Sequence, residues 1–99
     1  MNSLIRHGDV TLIRVDSLPN GVSFLKGKKV LAEGETTSHA HRIDVGDLFE
    51  TKNGGLYLRT DRLTTVTHEE HKTVTVEPGV YRVVIKRQYS PEGWENVKD

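Results

Sequence analysis

The chain predicts an all-β fold, a small antiparallel barrel or sandwich, on three observations. Runs rich in β-branched residues recur at short intervals, as in Leu63-Thr64-Thr65-Val66-Thr67 and Lys72-Thr73-Val74-Thr75-Val76, and such residues favour strands. Turn formers separate the runs, above all Asn53-Gly54-Gly55 and Pro78-Gly79, because Asn and Gly tolerate the positive φ of a tight hairpin. Helix signals are confined to the C-terminal tail.

Taken in order, Gly8 to Val15 contains the strand Val10-Thr11-Leu12-Ile13-Arg14-Val15, apolar on both faces. Asp16 to Gly21 is a loop, with Pro19, Asn20 and Gly21 as turn formers. Val30-Leu31-Ala32 is a short apolar run that leads into the polar loop Glu33 to Ser38, and a strand through His39 and His41 follows. Asp47-Leu48-Phe49-Glu50 and Leu56-Tyr57-Leu58-Arg59 flank the Asn53-Gly54-Gly55 turn as a hairpin. The longest strand candidate is Val80 to Tyr89, with Tyr81, Val83 and Ile85 on one face and Arg82, Val84 and Lys86 on the other. In the tail, Ser90 is a suitable N-cap, Pro91 suits the first helical position and Glu92 the first turn. A short helix is expected near Pro91 to Val97, docked through Trp94 and Val97 and weakened by Gly93.

Ninety-nine residues predict a single domain over 1–99. Fourteen basic and fourteen acidic residues cancel, so no global field recruits nucleic acid or an anionic membrane, and only a local basic patch is left open. The absence of cysteine excludes disulfides and thiolate ligands, so a bound metal would take nitrogen and oxygen ligands. No stretch approaches the ~20 apolar residues of a membrane span. The composition predicts a soluble, cytoplasmic domain.

Four of the five histidines fall in two close pairs, His39-Ala40-His41 and His68-Glu69-Glu70-His71. On a strand, residues i and i+2 share a face, so His39 and His41 point the same way. The second pair, at i and i+3, lacks the spacing of the helical metalloprotease motif. The β-branched runs on either side predict instead a tight turn between strands that aims both imidazoles at one point. Histidine binds borderline metals and moves protons near neutral pH, so the two pairs nominate one shared metal site of His39, His41, His68 and His71. Glu69 and Glu70 are candidates for the general base, a carboxylate ligand or an orienter of an imidazole; otherwise they are a solvated turn. Glu33, Glu35 and Glu50 read as surface residues, as does His7, which stands alone in the sequence. Arg82 and Lys86 read as a solvated strand face, and Tyr57, Tyr81 and Tyr89 as core or rim aromatics. Lys26-Gly27-Lys28-Lys29 is too short a signal for a phosphate cradle.

The H-x-H strand after a glycine-containing turn, with Pro78-Gly79 beyond it, resembles the small cupins over roughly Gly34 to Gly79. That resemblance implies a β-barrel whose metal is held by His39 and His41. The chain departs from the cupin pattern in having Val45 and Gly46 where a ligating glutamate is expected, and Tyr81 and Arg82 where a last histidine is expected. Gly-Asp-Val near the start, His-Ala-His-Arg, Thr-His-Glu-Glu-His and Tyr-Arg-Val-Val are also similar to motifs of uncharacterised small bacterial and phage β proteins. That likeness implies no activity.

Three functions compete. The first is a metal-binding β-barrel, in which three imidazoles would leave an open position of catalytic type and four would close the site. An open site can lower the pKa of bound water toward ~7 for hydrolysis. Zinc is the first choice of metal, with nickel, copper, iron and manganese open. The second is a metal-free histidine-based phosphodiesterase or ribonuclease acting on RNA or cyclic oligonucleotides. There an imidazole and an imidazolium each contribute ~10²–10⁴-fold, and Arg42, Lys72 or Arg82 stabilises developing charge. The third is a non-enzymatic homo-oligomeric interaction module with histidines at an interface, since a thin core of 34% hydrophobic residues is often supported by oligomerisation.

Overall fold

Strict alternation along Tyr81, Arg82 and Val83, with Tyr81 and Val83 buried and Arg82 exposed, is the pattern of a strand with one face in a core. A computed structural model describes residues 4–33 and 39–86. It contains β1 (Leu4–His7), β2 (Val10–Val15), β3 (Ser23–Phe24), β4 (Val30–Glu33), β5 (Ala40–Ile43), β6 (Asp47–Glu50), β7 (Leu56–Thr60), β8 (Thr64–Thr67), β9 (Val74–Val76) and β10 (Gly79–Ile85). These form two antiparallel sheets, one of six strands in the order β1-β2-β10-β7-β6-β3 and one of four in the order β4-β5-β8-β9.

The all-β expectation holds, and of its two forms the sheets take the open one: they are not closed into a barrel. They share a single core. Val10, Leu12, Leu48, Leu58 and Tyr81 enter it from the six-stranded sheet, and Leu31, Ile43, Val66 and Val76 from the four-stranded one. Tyr81 is fully buried, yet its hydroxyl donates to the Glu77 carbonyl at 2.7 Å and accepts from Arg14 at 2.9 Å. Its polar end is therefore satisfied without water.

The hairpin expected at Asn53-Gly54-Gly55 joins β6 to β7. Thr51 N–H donates to the Gly55 carbonyl at 2.8 Å, and Gly54 adopts φ +88°. Two strands were not foreseen. β3 is only two residues long and exists through its pairing with β6. β1 pairs with β2 across a two-residue Gly8-Asp9 turn, where Gly8 takes φ +61°, so the strand expected at Val10 to Val15 is the second arm of a hairpin. The expected tail helix over 90–98 lies outside the described residues. Among the described residues no helix is long and apolar enough to cross a membrane.

Candidate metal centre

The ladder between β5 and β8 pairs Arg42 with Thr67 and Ile43 with Val66. One step further along that register stand His41 and His68, and their ring centroids are 4.5 Å apart. His68 to His71 forms the expected turn between β8 and β9. That turn brings His71 to 4.6 Å from His68 and stacks it 5.6 Å from His41. His39, just before β5, lies 5.6 Å from His68 on the other side. The two histidine pairs, far apart in sequence, are thus one group in space.

The fifth histidine belongs to the same group, which corrects its reading as a surface residue. His7 is 4% exposed and reaches from β1 of one sheet to β5 of the other. Its Nδ1 lies 2.8 Å from Nδ1 of His41, and its Nε2–H donates to the Lys72 carbonyl at 2.9 Å. The signal was available in the sequence. Leu4-Ile5-Arg6-His7 and Val10-Thr11-Leu12 are two apolar-containing runs separated by Gly-Asp, a two-residue hairpin signature. Gly8 serves the group by having no side chain. A Cβ there would sit 2.8 Å from Nε2 of His71 and 3.0 Å from Cε1 of His41.

The acidic residues of the turn behave differently from each other. Glu69 Oε1 accepts the Ala40 N–H at 3.0 Å, and its Oε2 pairs with Arg42 at 2.8 Å. The Arg42 hydrogen bond, then the Ala40 N–H, hold the Glu69 carboxyl down at about 2. Arg42 is correspondingly committed to an ion pair on the strand that carries His41. Glu70 is more exposed; its carboxylate approaches Nδ1 of His39 at 3.4 Å, and its backbone N–H donates to Nδ1 of His68 at 3.0 Å.

Two ligand sets emerge. His41, His68 and His71 offer ring nitrogens within 4.8 Å of one another, and so do His39, His68 and Glu69 with its carboxylate. The first is all imidazole and the more buried. Burial, then the neighbouring His68, His7 and His71 rings, push His41 down to about 4. Burial also lowers His7, against the opposing effect of the Lys72 carbonyl. Unprotonated imidazole is the form that binds a metal. The donors are imidazole nitrogens and carboxylate oxygens, thiolate being excluded by the absence of cysteine.

Residues 6–86 match the family described as Domain of unknown function (DUF8820). No curated protein and no solved structure matches the chain.

Proposed function

Because the chain belongs to the DUF8820 family, whose function is unknown, we propose from its own residues that it binds a divalent metal ion through His41, His68 and His71. The observation that carries this reading is their convergence: three ring nitrogens from two chain segments lie within 4.8 Å of one another. Zinc is the first candidate, since it accepts three imidazoles with a fourth position open.

The reaction we assign to such a centre is hydrolysis of a small carbonyl or phosphoryl compound. An ion in an open three-histidine set supplies Lewis acidity to such a reaction. This chain's residues supply the rest. His71 is exposed and His68 half-buried, so the group opens to solvent on the side of the β8–β9 turn, where a substrate can enter. Glu69, held by Arg42 and the Ala40 N–H, fixes the turn against β5 and so keeps His68 beside His41. Glu70 and His39, paired with each other at the rim, are the groups we assign to accept a proton from an attacking water.

The test uses protein purified without a histidine tag, with p-nitrophenyl acetate and bis-p-nitrophenyl phosphate as substrates. Hydrolysis that disappears with chelator, returns with zinc and is absent in His71→Ala supports the reading. Hydrolysis indifferent to chelator would instead favour the metal-free histidine mechanism. No hydrolysis with zinc bound would make the site a binding or structural one.

A further inference from the structure

Neutral imidazole carries one hydrogen, on either Nδ1 or Nε2, and only the other nitrogen can ligate a metal. Which nitrogen of His41 is free therefore decides whether it is a ligand at all. The partners of His7 answer this by elimination. Nε2 of His7 faces the Lys72 carbonyl at 2.9 Å, and a carbonyl oxygen only accepts, so the hydrogen of a neutral His7 is on Nε2. Nδ1 of His7 then has a lone pair and no hydrogen. The contact of 2.8 Å between the two Nδ1 atoms becomes a hydrogen bond only if His41 Nδ1–H donates. His41 is left with a free lone pair on Nε2.

We infer that His7 is a positioning residue that fixes the tautomer of His41, so that its Nε2 is presented to the metal. This rests on the metal-binding reading of the group. The arrangement has the form found around many ligating histidines, in which the nitrogen that does not bind metal donates to a fixed acceptor. Here the acceptor is another imidazole, and that imidazole is oriented by a backbone carbonyl. The relay Lys72 carbonyl–His7–His41 runs from the segment after the β8–β9 turn, through the six-stranded sheet, to β5. It couples the position of the turn that carries His68 and His71 to the tautomer of the third ligand. His68 is set the other way: its Nδ1 accepts the Glu70 N–H at 3.0 Å, so its lone pair reaches a metal only when that hydrogen bond is exchanged for the ion. Of these two rings, His41 alone has the Nε2 lone pair ready in advance.

The experiment is a long-range 1H–15N correlation spectrum of the histidine rings in metal-free 15N-labelled protein, with zinc affinity measured by competition with a chromogenic chelator. We expect the His41 hydrogen on Nδ1 in the wild type. In His7→Ala the hydrogen should redistribute toward Nε2, and zinc affinity should fall ~10–100-fold, the effect typical of losing an outer partner of a ligating histidine. His7→Gln retains one acceptor and one donor and should restore most of the affinity. A His41 hydrogen on Nε2 in the wild type overturns the inference, even if zinc binds tightly. Unchanged zinc affinity in a folded His7→Ala overturns it as well. If wild-type protein binds no zinc, the metal reading fails separately, while the spectrum still decides whether His7 sets the tautomer.

Discussion

Nδ1 of His7 and Nδ1 of His41 approach to 2.8 Å although 34 positions separate them in the chain and they belong to different sheets. The contact joins the two sheets at the end where the β1–β2 turn, the start of β5 and the β8–β9 turn converge. A hydrogen bond between buried imidazoles requires one donor and one acceptor, so the pair is also a constraint on protonation.

Gly8→Ala should damage the centre and the fold together. Gly8 adopts φ +61°, which costs an L-residue ~1–2 kcal/mol, and the new Cβ would meet Nε2 of His71 at 2.8 Å. A lowered melting temperature with weakened zinc binding is expected by thermal melts and chelator competition. Gly54→Ala, with positive φ but open space around it, should lower the melting temperature and leave zinc affinity unchanged.

Glu69→Gln tests positioning against base catalysis. Glutamine keeps the acceptor toward the Ala40 N–H but loses the ion pair with Arg42. As a positioning change it should loosen zinc ~10–100-fold, and Arg42→Ala should do the same. If zinc affinity holds while hydrolysis disappears in Glu69→Gln alone, Glu69 is the general base.

Acid should destabilise the metal-free protein in two successive windows that overlap between 4 and 4.5. His41 titrates near 6.5 when unfolded and at about 4 when folded. The unfolded chain therefore takes up the proton first, and stability falls as pH drops from 6.5 toward 4. Glu69 is lowered from 4.5 to about 2, so its contribution is present above 4.5 and is lost as pH falls toward 2. Chemical denaturation across this range should show His41→Ala flattening the upper window and Glu69→Gln the lower one. Coincident profiles for wild type and His41→Ala would remove His41 as the source of the upper slope.

Much of this was legible in the sequence. The β-branched runs around His68 to His71 are a local pattern, and local patterns survive into the fold; His39, expected on one strand with His41, stands instead just before β5. The Asn53-Gly54-Gly55 hairpin is legible for the same reason, since its turn chemistry is carried by three adjacent residues. His7 was missed because its strand is four residues long and gains its stability by pairing with β2, with its place in the group set by contacts 34 and 65 positions away. Sequence pattern also left open whether the sheet closes into a barrel. That is decided by which strands pair across long separations, as β2 with β10 and β5 with β8 do, and loop closure of that kind leaves no periodic signal.

Whether His41, His68 and His71 hold one divalent ion is decided by metal stoichiometry from isothermal titration of tag-free protein with zinc, read beside the melting temperature with and without chelator. An ion bound only by the folded state stabilises it by mass action, by ~2.7 kcal/mol at a concentration 100 times Kd. We expect one zinc per chain, a melting temperature lowered by chelator, and loss of both effects in His41→Ala and in His68→Ala. No zinc uptake, with a melting temperature indifferent to chelator, would contradict that expectation.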